Sequence, residues 1–342
     1  MVGIAVVGAG YWGPNLIRNF AGARGGTLVA VVDLDEGRLA RVRRSFPWVR
    51  TTTRLDEVLG EEAVHGVAVA TPAGTHYDLT RRVLEAGKSA FVEKPLALTA
   101  AQCEDLIATA ARRSLVLMVG HTMEYNAAVL RIEEYIRQQE LGEVYYIYSQ
   151  RLNLGVVRRD VNAMWNLAPH DISIAVRWLG EMPRSVNARG YTYLQPGVAD
   201  VVYLNLEFAS GVAVHIHVSW LDPGKVRRTT VVGSRKMAVY DDASQDARIQ
   251  LFDKGIDRCD TGGSLGSFDS FGTYQLIRRA GDVLIPNLEF TEPLGVETAH
   301  FVECVQEGKR PTTDGENGLR VVRVLEAADR SMAQGGVSVP VE

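Results

Sequence analysis

Apolar and polar positions alternate between two periods in the first third of the chain. Residues 3–10, 28–35, 66–72, 89–95 and 115–121 are short runs rich in valine and alanine, ending at glycine, acidic or turn residues. That is the pattern of strands buried on both faces. Between them, residues 14–22, 40–46, 75–88 and 99–113 carry apolar positions at helical spacing. Pro14 suits a first helical turn, and Gly87 lies close to the end of a helix. Strands alternating with helices predict parallel βαβ units with helices on both faces of the sheet.

The pattern changes near residue 120. Residues 126–142 read as a helix, and most of the remaining chain reads as strands: 143–155, 184–194, 199–209, 212–220, 226–234 and 236–242. Their spacing and the LDPGK turn at 221–225 predict an antiparallel meander. Residues 164–173, MWNLAPHDIS, place Pro169 and His170 at the opening of a helix inserted between the first two of these strands. Residues 264–272 form a Gly/Ser-rich loop, and 292–308 and 316–335 are closing helices. The chain shows no internal repeat.

Bulk properties narrow the class. A chain of 342 residues accommodates about two domains. With 46% hydrophobic and 23% charged residues, it matches an ordinary globular protein with a core of normal size. A net charge of -4 and a pI near 6.0 argue against nucleic acid as a partner, which needs a basic face. Cys103, Cys259 and Cys304 are far apart and in no CxxC spacing, as expected of reduced thiols in a cytoplasmic protein. No apolar run approaches the ~20 residues that span a bilayer, so no membrane partner is expected. The N-terminal MVGIAVVGAG lacks a basic leader and a cleavage site and reads directly as a strand.

The first strand runs into a turn with Gly8, Gly10 and Gly13 in G-x-G-x-x-G spacing, followed by a helix and, about twenty residues on, by Asp33. That context is what a dinucleotide turn requires. Gly8 permits the tight turn, Gly10 lets the backbone approach a pyrophosphate at the helix N-terminus, and Gly13 lets helix and strand pack closely. Tyr11 and Trp12, within the turn, are expected to contact the cofactor as well. Asp33 ends the second strand, where a carboxylate binds ribose hydroxyls and repels a 2′-phosphate. NAD is therefore expected over NADP, with Arg38 nearby to soften the preference. The expected fold is α/β: an N-terminal Rossmann fold over 1–120, and a C-terminal α+β domain over 121–342 built on a large open, mostly antiparallel sheet.

A second motif, Glu93-Lys94-Pro95, puts a lysine at the C-terminal end of a late parallel strand, where such sheets bind ligands. GAGYWG, TPAGTH, EKP and the later histidine-bearing helix together resemble the glucose-fructose oxidoreductase / inositol dehydrogenase (Gfo/Idh/MocA) family over essentially the whole chain. The resemblance implies NAD(P)-dependent oxidation or reduction of sugar or cyclitol carbinols. It further implies Lys94 beside the site of hydride transfer, and Thr71, Pro72, His76 and Glu93 against the cofactor. It makes His170 the general base, which suits a group whose pKa lies near neutrality; Lys94 would stabilise charge on the same oxygen. Asn166 and His170, four residues apart, share one helix face. The family's commoner Asp stands at the position of Asn166, and members acting on UDP-amino sugars can carry Asn there. Asp171 points about 100° away around the helix and is read as structural.

GHTMEYN at 120–126, with Glu124 where many members have Arg, together with LAPHDIS and the terminal TDGENGLRVVRVLEAA, is similar to the sugar-nucleotide 3-dehydrogenases. That resemblance implies oxidation of the C3 hydroxyl of a UDP-amino sugar to a ketone. Arg151, Asn153, Arg158 and Arg159, expected on the loop before the His170 helix, offer forked donors to a diphosphate. An inositol or sugar-phosphate dehydrogenase, a 3-ketosugar reductase and a non-catalytic NAD-binding sensor remain alternatives on the same scaffold. His215 and His217 share a strand face; without a third ligand no metal is expected, and they read as a sheet-face or subunit-contact pair. His300 and Cys304 read as helix packing. The strand-rich half has more aromatic and valine-rich surface than its helices cover, which predicts a homodimer or homotetramer through that sheet.

Overall fold

The computed structural model describes residues 1–155, 157–256 and 278–342; Cys259 and the Gly/Ser-rich stretch 264–272 lie outside them. The predicted strands of the first third are β1 (Val2–Val7), β2 (Gly26–Val32), β4 (Gly66–Val69), β5 (Ser89–Glu93) and β6 (Leu117–Gly120), joined by a three-residue edge strand β3 (Arg50–Thr52). All pairs are parallel, in the order β3-β2-β1-β4-β5-β6. Strand order reverses between β1 and β4, and a crevice at the strand C-termini opens at that point. β1, β4 and β5 are buried at every residue, as their unbroken apolar runs require. The crossovers are helices α1 (Gly13–Ala21), α2 (Glu36–Ser45), α3 (Leu55–Leu59), α4 (His76–Glu85) and α5 (Ala100–Arg112).

After α6 (Ala127–Arg137) the second sheet begins. Its strands are β7 (Val144–Leu152), β8 (Pro183–Tyr191), β9 (Val201–Phe208), β10 (Ala213–Ser219), β11 (Val226–Gly233), β12 (Met237–Asp241), β13 (Ile249–Ile256), β14 (Arg278–Leu284) and β15 (Val339–Pro340). They stand in the order β14-β13-β12-β11-β7-β10-β9-β8-β15. The sheet is mostly antiparallel, but it is not the predicted meander. β7 lies between β10 and β11, parallel to the first and antiparallel to the second, so the LDPGK turn joins strands that are not neighbours. The turn chemistry specifies only a reversal. Residues 220–225 easily span the roughly 10 Å of two inter-strand spacings.

Helix α7 (Ala163–Leu179) lies on the inner face of this sheet, against β7, β9 and β10. It starts earlier than predicted: Asn162 caps it by accepting the Trp165 amide at 3.0 Å, and Pro169 is internal. A proline there leaves the carbonyl of Trp165 without its helical donor. The helix ends on Gly180 at φ 68°, a left-handed C-terminal stop that glycine adopts at little cost.

The last two helices bind the halves together. α9 (Gly315–Ala333) packs on α5, α7 and β8, while α8 (Pro293–Glu307) returns to the first sheet and packs on α1. Phe301 of α8 meets Phe20 and Phe91 edge-on, with ring centroids 6.1 and 5.7 Å away, and Leu294, Phe301 and Val302 belong to the core that contains Ile4, Leu16 and Val31. The stretch 121–342 therefore does not stay with the second sheet. One of its helices completes the first.

Candidate active site

The glycine turn behaves as its spacing predicts. Gly8 has φ +100° and a Cβ there would meet Ala70 O at 2.6 Å; a Cβ on Gly13 would collide with Gly8 O. Gly10 differs: an added Cβ would meet only the Arg38 guanidinium, at 3.6 Å, so packing does not demand glycine there. The space beside it suits a close-approaching ligand. No side chain caps α1; Pro14 has no amide hydrogen and the Asn15 amide donates to Trp12 O at 2.9 Å, so an anion there would meet the Gly13 amide and the positive end of the helix. Tyr11 and Trp12 stand exposed beside the turn. Asp33 is buried and braces the neighbouring loops, accepting the Ala9 amide at 2.6 Å and the Asp35 amide at 2.8 Å. Arg38 reaches the same carboxylate at 3.5 Å. Oδ2 takes both the Ala9 amide and Arg38, while Oδ1 accepts only the Asp35 amide and keeps a lone pair for a ribose hydroxyl.

Lys94 leaves the C-terminal end of β5, and its Nζ donates to the main-chain carbonyl of Asn166 at 2.6 Å. An amine from the first sheet thereby touches the helix carrying His170, one turn before it. The residues around Lys94 are tied down. The Lys94–Pro95 peptide is cis. His76 is buried, with Nδ1 2.7 Å from Pro95 O and Nε2 2.9 Å from Thr71 O, so both ring nitrogens face carbonyls. His76 thereby staples Thr71, just past the end of β4, to the segment after Lys94. Burial lowers the Lys94 pKa; the Glu93 charge opposes this, and the charges of Arg151, Arg158 and Arg227 reinforce it. Glu93 is buried with Oε1 lacking a partner. Burial pushes its carboxyl up against the pull of Lys94 and the Trp12 indole.

His170 is half-buried, and its Nδ1 is enclosed and without a partner. Desolvation holds its pKa well below the usual value, with the charges of Lys94, Arg151, His121 and Arg227 adding to it. Asn166 accepts from Trp220 Nε1 at 3.2 Å through its side-chain oxygen. As predicted from its angle on the helix, Asp171 is structural, bonded to Ser149 at 2.7 Å and to Arg151 at 2.8 and 3.2 Å.

The arginines sit differently from the expectation. Arg151 is on strand β7, not on a loop, and it is buried in a bidentate pair with Asp171. Asn153, just beyond β7, is half-buried and its amide pairs with Ser219 O at 3.2 Å. Arg158 does lie on the loop, forked onto Asp160 at 2.9 and 2.6 Å, and Arg159 is exposed. No local pattern indicated that Asp171, twenty residues on, would take the Arg151 fork.

Sequence reasoning missed several residues that the fold brings to this edge. His121 directly follows β6, and the register Glu93↔Gly120 sets it level with Lys94; the strand-end rule that selected Lys94 would have found it. Arg227, on β11, pairs with Asp242 at 3.3 Å, and nothing in its local sequence signals that it faces Lys94. Glu297 of α8 is fully buried and accepts from Thr122 at 2.6 Å. His215 and His217 lie on the outer sheet face, the first 2.7 Å from Asn205 Oδ1, the second stacked on Tyr203 at 4.3 Å. Among the described residues, no group of three or more His, Cys, Asp or Glu side chains could hold a metal ion, and no helix is long and apolar enough to cross a membrane. Cys304 is core, its thiol pushed up to about 11 by burial.

Comparison with known proteins agrees with this geometry. Residues 2–121 match the model of an oxidoreductase family with an NAD-binding Rossmann fold, and residues 129–239 match the GFO/IDH/MocA C-terminal domain. The scyllo-inositol 2-dehydrogenase (NAD(+)) of Bacillus subtilis is 26% identical over 97% of this chain and 94% of its own. The UDP-N-acetylglucosamine 3-dehydrogenase of Acidithiobacillus ferrooxidans is 27% identical over 69% of this chain and 72% of its own. A further match, at 27% identity to a 2,7-anhydro-N-acetylneuraminate hydratase of Mediterraneibacter gnavus, spans only 59% of that protein. Among solved structures, GenD2 from gentamicin A biosynthesis, in complex with NAD, superposes with a TM-score of 0.82 at 27% identity, over 100% of this chain and 96% of that one. With both of its halves matched, the chain is a member of the Gfo/Idh/MocA oxidoreductase family, an NAD-binding Rossmann fold continued into that family's C-terminal domain.

Proposed function

We propose that the chain is an NAD-dependent dehydrogenase that oxidises the C3 hydroxyl of a UDP-amino sugar to the 3-keto sugar. The observation that carries the chemistry is the contact of Lys94 Nζ with Asn166 O, which brings the amine and the His170 helix to one crevice edge. NAD, when bound along the glycine turn, supplies the acceptor for the hydride leaving the carbinol carbon. His170 takes the hydroxyl proton through Nε2, its Nδ1 being enclosed. Lys94 donates a hydrogen bond to the same oxygen as charge develops on it. The space beside Gly10, the uncapped α1 N-terminus and the spare lone pair on Asp33 Oδ1 fit the cofactor, and the Asp33 carboxylate favours NAD over NADP.

The finer substrate assignment rests on charge. Arg151, Arg158 and Arg227 all bear on Lys94, a setting that suits an anionic substrate. Arg158 can exchange its half-exposed partner Asp160 for a phosphate. The relative named as a UDP-N-acetylglucosamine 3-dehydrogenase supports the same substrate class. The inositol or sugar-phosphate dehydrogenase reading is supported by the carboxylate that each of these arginines already holds, and by the inositol dehydrogenase relative.

Absorbance at 340 nm, with NAD and a panel of UDP-N-acetylhexosamines, their uronates, inositols and sugar phosphates, decides between them. UDP-sugars should be turned over, with Arg158→Ala raising their KM far more than that of inositol. Preference for inositol, with no effect of Arg158→Ala, would install the second reading. Reduction of a 3-ketosugar by NADH with no measurable oxidation would reverse the direction assigned. NAD binding without turnover of any carbinol would leave a sensor.

A further inference from the structure

Two ring nitrogens at this edge are enclosed and have no hydrogen-bond partner: His170 Nδ1 and His121 Nε2. The surroundings of His121 determine its protonation. Its Nδ1 lies 2.5 Å from Asn317 Oδ1, and Asn317 Nδ2 donates to Glu124 Oε1 at 3.0 Å. Because the amide nitrogen faces a carboxylate, the amide oxygen is the end turned to the imidazole, so Nδ1 carries the hydrogen. Arg177 fixes Glu124 in turn at 3.3 Å. His121 Nε2 is therefore a lone-pair acceptor. Burial holds the His121 pKa down at about 4, which keeps that acceptor neutral near pH 7.

The helix fixes where His170 points. Positions 166, 170, 173 and 177 of α7 share one face. Lys94 binds the carbonyl of Asn166, Ser173 donates to the carbonyl of His170 at 3.1 Å, and Arg177 bonds to Glu124. His170 lies between these anchors, so its face is turned to the end of β6, where His121 stands. We propose that His121 is a positioning residue for His170: its Nε2 accepts from the Nδ1–H of His170 across one bridging water, so that His170 presents an unprotonated Nε2 to the substrate alcohol. This rests on the reading of His170 as the base. The benefit is electrostatic as well as geometric. The groups facing His170 from other elements are Lys94 on the β5 end, Arg151 on β7 with its partner Asp171, Arg227 on β11 with its partner Asp242, and His121 backed by Glu124. The charge of Lys94, which the neighbouring Glu93 offsets in part, opposes a proton on His170, and an acceptor at Nδ1 favours it.

The test uses the full chain labelled with ¹⁵N-histidine. Long-range ¹H–¹⁵N correlation reads the His170 tautomer without substrate. His170 should be the Nδ1–H form in the wild type. His121→Asn keeps a side-chain donor near Asn317 but removes the distal acceptor, and should move His170 toward the Nε2–H form. His121→Gln places an amide near the lost nitrogen and should restore Nδ1–H. In turnover, His121→Asn should lower kcat about ten- to a hundredfold, the scale on which orienting partners act, with KM little changed and the acid limb of kcat/KM moved to lower pH. His121→Gln should recover most of the rate. A wild-type His170 in the Nε2–H form overturns the proposal whether or not any variant folds. So does equal loss in both variants with an unshifted pH profile. An enzyme that shows the expected tautomer but turns over no carbinol would instead overturn the reading of the reaction.

Discussion

At the scale of single residues, the site depends on an ammonium whose proton is loosely held. Lys94 must be protonated to donate to the reacting oxygen, and burial together with three nearby guanidinium groups lowers its pKa below the ordinary lysine range. His170 must be neutral to accept a proton, and its pKa is also lowered. Activity therefore rises as pH passes upward through the depressed His170 pKa, below 6.5, holds across neutrality, and falls as Lys94 loses its proton. Lys94→Arg tests the alkaline side, because a guanidinium stays protonated throughout. Its kcat/KM should be lower than wild type but should lack the alkaline decline; a decline at the same pH in that variant would move the responsibility to another group.

At the scale of elements, the first sheet was legible because its strands are buried on both faces and their apolar runs are unbroken. The glycine turn, Asp33 and Lys94 could be placed for the same reason: each sits at a strand end, and strand ends can be read from periodicity. What periodicity does not encode is partnership. The insertion of β7 between β10 and β11, the capture of Arg151 by Asp171, and the arrival of Arg227 beside Lys94 all depend on contacts between segments far apart in sequence. His170 was found through a family pattern; its position in α7 was misjudged because Pro169 resembles a helix opening, while the true cap, Asn162, is less conspicuous. The return of α8 to the first sheet was equally hidden, since an amphipathic helix does not name the surface it covers. Phe301→Ala removes the ring that packs on both Phe20 and Phe91 and should cost about 3–5 kcal/mol, read from the shift of the denaturant midpoint. A loss below about 1 kcal/mol, the scale of an ordinary surface change, would mean that α8 docks by other contacts.

At the scale of the whole molecule, the second sheet keeps one face for α7 and α9 and, among the described residues, leaves the other open. Along β9 alternate residues are buried and exposed, and the exposed set includes Tyr203, stacked on His217 at 4.3 Å and edge-on to Tyr191 at 6.2 Å. Tyr191 in turn stacks on Tyr193 at 6.3 Å. Such an aromatic stripe suits a self-complementary contact, and we propose that two or four copies pair through it. Tyr203→Glu should convert the assembly to monomers by light scattering at micromolar concentration; a monomeric wild type would refute the pairing outright.

The helix that closes the first sheet also sets a timetable. Phe91 is synthesised some two hundred residues before Phe301 joins it, an interval of roughly 10–40 s at ribosomal speeds of about 5–20 residues per second. Until then the nascent dinucleotide-binding half carries an uncovered aromatic surface. The portion of the chain made earliest is thus among the last to be completed, and a fragment ending at residue 120 would carry that exposed surface permanently, as a sticky and poorly soluble product.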